Sequence, residues 1–95
     1  MSAYLIIKAN VSNWEKFKRY TDVVPAIVKA HGGEYIVMDG APDVVEGEDY
    51  PGSIVISKWP SKKAANDFWQ SKAYKEAIPL REGTGEFKVL LVNGL

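Results

Sequence analysis

Two side chains in this sequence are placed to act on a small molecule. His31 is the single histidine, so any acid-base imidazole must be this one, and a metal site built from several histidines of one chain is excluded. It falls on the apolar stripe of a first helix, at that helix's end, and imidazole is the side chain suited to moving a proton near neutrality. Arg81 follows Pro79-Leu80 at the end of a broken second helix, where a fixed guanidinium can grip a carboxylate, a phenolate or a developing enolate. Tyr20, Tyr35, Trp69 and Tyr74 add aromatic walls with polar tips, the mixture expected of a small-molecule cleft between helices and sheet. The candidate catalytic residues are therefore His31 and Arg81, and the candidate ligand-binding residues are those four aromatics. Each has a structural alternative: His31 can pack and bond a carbonyl, Arg81 can pair with Glu76 or Glu82, and the rings can simply fill the core.

Other chemistries find less support. Asp39, Asp43, Glu46, Glu48 and Asp49 lack the spacing of a calcium loop and fall in a solvated hairpin, so no metal site is expected. Gly83-Thr84-Gly85 precedes a strand instead of a helix and cannot be the phosphate-cradling turn of a dinucleotide fold. No Gly-x-Ser-x-Gly elbow occurs, and without cysteine there is no thiolate nucleophile, disulfide or iron-sulfur cluster. No cofactor is expected. The 12 basic and 12 acidic side chains cancel, leaving no net field to recruit nucleic acid or anionic lipid. No apolar run approaches the roughly 20 residues of a bilayer span, and the N-terminus has no signal-like segment, so a cytoplasmic protein is expected.

The elements that must position these residues read clearly along 95 residues, enough for one domain with a modest core. Tyr4 to Val11 is a strand, ended by Ser12-Asn13 as a helix N-cap. On the helix that follows, Trp14, Phe17, Tyr20, Thr21, Val24, Ile27, Val28 and His31 share one side, with Trp14 expected to staple the helix to the sheet. Pro25 lies inside and predicts a bend near Val24 or a restart. Gly32-Gly33 ends the helix, one glycine suiting the left-handed C′ position. Glu34 to Asp39 is a second strand. Gly40 to Gly52 is loop-rich, with Val44-Val45 able to form a short extra strand. Ser53 to Trp59 is a third strand. Ser61 caps a second helix, Ser71 restarts it, and Pro79 is expected to end it. Glu86 to Val92 is the last strand. The order β-α-β-β-α-β specifies an α+β, ferredoxin-like fold, with a four-stranded antiparallel sheet and two main helices on one face.

The strands also imply a partner. A sheet covered on one face should alternate apolar with polar. Leu5-Ile6-Ile7, Ile36-Val37-Met38, Ile54-Val55-Ile56 and Val89-Leu90-Leu91-Val92 are instead apolar at both parities. Both faces ask for burial, and a homodimer packed through its sheet faces is the expected remedy. Glu34, Lys8, Lys58 and Lys88 are the charges that interrupt the patch.

Ala30-His31-Gly32-Gly33-Glu34-Tyr35, Trp59-Pro60-Ser61, Ala64-Ala65, Ser71, Tyr74, Pro79-Leu80-Arg81 and the closing run Leu91 to Leu95 together resemble one family. It is the domain-of-unknown-function family numbered 1330, within the dimeric α+β barrel superfamily, and the similarity spans essentially the whole chain. The resemblance implies a βαββαβ protomer dimerising through its sheet into an eight-stranded barrel-like assembly, and it implies no assigned reaction. The wider superfamily includes cofactor-free monooxygenases, isomerases, haem enzymes and stress-responsive dimers, among which fold does not choose. Two functions follow as expectations. One is a cofactor-free enzyme, oxygenase- or isomerase-like, acting on a small aromatic or carboxylate-bearing metabolite. The other is a non-catalytic dimer that binds a metabolite or another protein.

Overall fold

The computed structural model describes residues 2–95. Its elements are β1 (Ala3–Val11), α1 (Trp14–Ala30), β2 (Glu34–Asp39), β3 (Ser53–Trp59), α2 (Lys62–Gln70), α3 (Lys72–Ala77), a 3-10 turn over Ile78–Arg81, and β4 (Gly85–Asn93). The strands form one antiparallel sheet in the order β2-β3-β1-β4, which is the ferredoxin-like βαββαβ arrangement. No helix among the described residues is long and apolar enough to cross a membrane.

Local chemistry sets the element boundaries. The Asn13 side chain accepts from the Lys16 N–H at 3.1 Å and opens α1. The helix closes on paired hydrogen bonds from Gly33 N–H to the Val28 carbonyl and from Gly32 N–H to the Lys29 carbonyl, with Gly32 at a φ of 87°. This is the Schellman pattern, and its left-handed residue favours glycine. α1 runs unbroken through Pro25, so the restart allowed by the sequence does not occur. The Ser61 side chain accepts from Ala64 N–H to start α2. Ser71 does two jobs: its hydroxyl donates to the Phe68 carbonyl at 2.7 Å, ending α2, and accepts from Tyr74 N–H, starting α3. Pro79 does not end the second helical segment as expected. α3 stops at Ala77, and Pro79 sits within the 3-10 turn that carries Arg81, near its N-terminal end where a missing N–H costs nothing.

Two further expectations are corrected. Val44 and Val45 form no strand; Val45 is 96% exposed, and a strand needs a neighbouring edge to take its backbone hydrogen bonds. Trp14 does not staple α1 to the sheet. It is 62% exposed, and the contact to β4 is made one turn later by Phe17, whose ring stacks on Phe87 at 5.6 Å.

The core lies between the sheet and α1, α2 and α3, built on Leu5, Val24, Val28, Trp59, Ala65, Phe68, Tyr74 and Ala77. Trp59 is its largest fully buried member; its indole N–H donates to the Ser57 hydroxyl at 2.8 Å, and its ring lies 4.8 Å from Phe68. The opposite face of the sheet, with Ile6, Ile54, Ile56 and Leu90 between Lys8, Lys58 and Lys88, carries no covering element among the described residues. Those isoleucines are only partly buried, and Leu90 is exposed.

Gly33 is where helix closure and core meet. A Cβ there would come within 2.6 Å of the Trp59 ring and 2.8 Å of a Val28 methyl. Gly33→Ala should therefore destabilise by about 1–3 kcal/mol through overpacking, measured as a lowered urea midpoint at unchanged slope. An unchanged midpoint would mean that Trp59 is free to move.

Candidate functional site

The inner face of the central strands carries small residues where a filled core would carry large ones. Ala9 on β1 lies opposite Ser53 on β3, and Leu5 lies opposite Ser57. Above this floor runs α1, and between them is a cavity of about 300 Å3. Its walls include Phe17, Tyr20, Val24 and Val28 from α1, Tyr35 and Met38 from β2, Trp69 and Tyr74 from the helices after β3, Arg81 from the 3-10 turn, and Phe87 and Val89 from β4. The volume lies at the lower end of the range for small-molecule pockets, and the lining is apolar with a few converging polar groups.

Those polar groups meet at one place. The Tyr20 and Tyr74 hydroxyls share a hydrogen bond of 2.7 Å, linking α1 to α3. The Arg81 guanidinium carbon lies 5.7 Å from the Tyr20 ring centre and 4.6 Å from that of Phe87. The charge is thus held by ring faces, contacts worth about 0.5–2 kcal/mol each. Neither carboxylate considered from the sequence pairs with it: Glu76 lies 3.8 Å from Lys72, and Glu82 makes no ion pair among the described residues. Arg81 Nε is buried and finds no protein acceptor. An unsatisfied buried donor costs about 1–3 kcal/mol, a cost removed when a ligand supplies the acceptor.

The turn that presents Arg81 is tied down on both sides. The Thr84 hydroxyl, fully buried, donates to the Arg81 carbonyl at 2.5 Å. The Thr84 carbonyl in turn accepts from Ser12 N–H, Asn13 N–H and the Ser12 hydroxyl at 2.7–3.2 Å, and Lys16 Nζ donates to the Glu82 carbonyl at 2.7 Å. The start of α1 and the approach to β4 are thereby clasped together. The backbone from which the Arg81 side chain projects is thereby fixed on both sides.

Burial pushes the Tyr20 phenol far above its ordinary value; Tyr74 adds to the shift, and the Arg81 charge opposes it. Burial also raises Tyr74, against opposing pulls from its hydrogen bond to Tyr20 and from Arg81. Tyr35 is raised by burial and, less, by Tyr74. At neutral pH all three are uncharged hydroxyls. Of the two hydroxyl protons in the Tyr20–Tyr74 pair, one is used in the mutual bond and the other is free to donate to a ligand.

The structure brings five of the six sequence candidates together, since Tyr20, Tyr35, Trp69, Tyr74 and Arg81 all line the cavity. His31 does not line it. It caps the far end of α1, eleven residues beyond Tyr20 and so about 16 Å along the helix axis. There its Nδ1 lies 2.9 Å from the Ile27 carbonyl and its ring stands edge-on to Phe68. The physical reason is that a helical wheel reports the face a residue occupies and discards its height. Reading the sequence also missed Phe87, Met38 and the small floor residues Ala9, Ser53 and Ser57. The signal for the floor was present: the inward parity of β3 alternates serine with larger residues.

Asp39 also lines the cavity, at the end of β2, and its Oδ1 accepts from Ala41 N–H at 2.9 Å. Among the described residues no group of histidine, aspartate and glutamate side chains is gathered for a metal.

Comparison with known proteins agrees with this architecture. A protein of unknown function from Rhodopseudomonas palustris superposes with a TM-score of 0.81 at 14% identity, covering 99% of this chain and 82% of that one. A protein from a Jannaschia species, described as a dimeric ferredoxin-like protein of unknown function, gives 0.71 at 10% identity, with 99% and 100% covered. SnoaB, a cofactor-independent oxygenase from Streptomyces nogalater, gives 0.69 at 11% identity, with 99% and 93% covered. At such identities the likeness is one of fold. No curated protein matches the sequence. A family model described as a domain of unknown function (DUF1330) matches residues 2–95.

The buried phenols predict a pH dependence. A phenol raised in the folded state keeps its proton there at a pH where the unfolded chain has lost it. Its stabilising contribution is therefore intact below the ordinary tyrosine value of about 10 and is lost as pH rises above it. Urea midpoints should fall between about pH 9 and about pH 11, and Tyr20→Phe together with Tyr74→Phe should flatten that slope. Identical slopes in the two proteins would show that the pair is not the source.

Proposed function

The chain belongs to the DUF1330 family, and from that premise we propose that it binds a small aromatic metabolite bearing an acidic oxygen and acts on it without a cofactor, as an oxygenase- or isomerase-like enzyme. One observation carries the reading: in an otherwise apolar cavity, the half-buried Arg81, its Nε buried and without an acceptor among the described residues, lies beside a pair of neutral phenols. Such a pocket takes the ring of a ligand against Phe17, Trp69 and Val89 and its anionic oxygen at Arg81 Nε–H. The spare hydroxyl of the Tyr20–Tyr74 pair supplies a second donor. An oxygen that gains negative charge during reaction, as an enolate or phenolate does, is favoured most by donors fixed in advance in an environment of low polarity. Hydroxide or buffer takes the proton from the carbon and solvent returns it, while Arg81 and the neutral phenol hold the enolate oxygen formed in between. The fold shared with a cofactor-independent oxygenase is compatible with this chemistry.

The reading includes a cytoplasmic homodimer that buries the uncovered sheet face. Apolar residues in the middle of that face, with no element of the chain over them, support it, as does the dimeric description of the Jannaschia neighbour. Light scattering at micromolar concentration should give a dimer, and a monomer would contradict this part.

A non-catalytic metabolite-binding role is the second reading, favoured by one feature. Among the described residues Asp39 is the single carboxylate lining the cavity; it belongs to β2 and is engaged with Ala41, whereas Arg81 lies over Phe87 of β4. No protein base therefore stands beside Arg81. Two measurements test the proposal. In calorimetry, 2-naphthoate should bind the protein, and Arg81→Gln should weaken binding about 10–100-fold, the worth of one charge-assisted hydrogen bond. In deuterium oxide, the protein should accelerate exchange at the acidic carbon of 2-tetralone, whose enolate oxygen fits the Arg81 position, and Arg81→Gln should abolish the acceleration. Binding without acceleration selects the non-catalytic role, and no binding removes both.

A further inference from the structure

The cavity has two unlike ends, and a backbone irregularity defines one of them. In the β2–β3 ladder Tyr35 lies opposite Ser57, but Val37 is the next residue paired, opposite Ile56, so Ile36 is a bulge without a counterpart. A bulge exchanges the parity of everything after it. In a regular strand Val37 would follow Tyr35 to the helix-covered face. Here Met38 does so, opposite Val55, and it lines the cavity. Met38 is nevertheless 70% exposed, so it stands where the cavity opens to solvent. An unbranched thioether at such a mouth is a pliable apolar wall that can adjust to what passes it.

The other end belongs to Arg81, over the Phe87 ring on β4. In the order β2-β3-β1-β4, three inter-strand spacings separate β4 from β2, about 14 Å in all. The floor between them carries the small residues Ala9 and Ser53 on one cross-strand row and Ile7 and Val55 on the next. A single-ring acid held at Arg81 ends over the central strands and leaves Met38 untouched.

From this geometry we infer that Met38 sets the length of the ligand, and that the ligand is an elongated aromatic acid, its anionic end at Arg81 and its apolar end against Met38 at the cavity mouth. The inference rests on the ligand site proposed above and adds which molecules that site prefers. The bulge at Ile36 is the device that turns Met38 inward, so specificity is written in the edge strand, away from the charge.

The test uses two probes that share an acid group and differ in length, benzoate and biphenyl-4-carboxylate, titrated calorimetrically into the purified protein. Biphenyl-4-carboxylate should bind at least tenfold more tightly. Met38→Ala should remove most of that advantage while leaving benzoate unchanged, Met38→Leu should restore it, and Arg81→Gln should weaken both acids by a similar factor. Circular dichroism confirms that each variant is folded. Equal affinities in the unaltered protein, or a Met38→Ala effect of the same size on both acids, would overturn the role of Met38 while leaving the Arg81 site standing. Failure of both acids to bind would overturn the site and this inference together.

Discussion

The 2.7 Å hydrogen bond between Tyr20 and Tyr74 is where fold and site become one problem. It joins the middle of α1 to the first turn of α3, and both phenols lie largely out of water. Its net worth is about 1 kcal/mol, but breaking it leaves two buried hydroxyls unsatisfied at about 1–3 kcal/mol each. The pair therefore ties α1 to α3 along one wall of the cavity, above a floor that includes Ala9, Ser53 and Ser57, and it faces the Arg81 charge. Removing it would alter packing, cavity and electrostatics at once.

Around this bond the aromatic side chains form a connected series. Trp59 packs on Phe68, Phe68 on Tyr74, Tyr74 edge-on to Tyr20, Tyr20 on Phe17, and Phe17 on Phe87, with centroid separations of 4.5–6.3 Å. At the Trp59 end the series is packed solid against Gly33, and His31 caps that end as a structural residue bonded to its own helix. At the Phe87 end the rings hold a cation in place of a further ring. The backbone clasp at Thr84 keeps Arg81 there without help from a carboxylate. A charge left without a counter-ion beside neutral donors is costly to a fold and useful to a site.

Much of this was legible in the sequence, for identifiable reasons. Asn13, Ser61, Ser71 and Gly32 mark element ends because capping is local hydrogen-bond chemistry, and the βαββαβ order follows from period alone. Apolar strands at both parities correctly left one sheet face uncovered by the chain's own helices. Arg81 was recognisable because it follows a proline-interrupted helix, where the chain must turn toward the sheet. What the sequence could not show depends on height, register and volume. His31 shares a helical face with Tyr20 and yet lies three turns away. Met38 reaches the cavity only because of a bulge that no local residue announces. Trp14 has the composition of an anchor, but Phe17 meets the sheet because β4 begins beneath it, at Phe87. The hollow itself is a difference between facing side-chain volumes, which appears only once strands and helix are paired.

The Arg81 Nε–H is a buried donor with no acceptor among the described residues, and an incoming ligand oxygen would satisfy it. The most direct measurement is the 1H–15N spectrum of arginine Nε–H groups, with the Arg81 resonance assigned by its loss in Arg81→Gln, recorded before and after addition of 2-naphthoate. The Arg81 Nε–H should be resolved, move downfield, slow in exchange with water and saturate with the ligand. An Arg81 resonance that stays in place while 2-naphthoate binds would put the ligand elsewhere and leave Arg81 without a binding role.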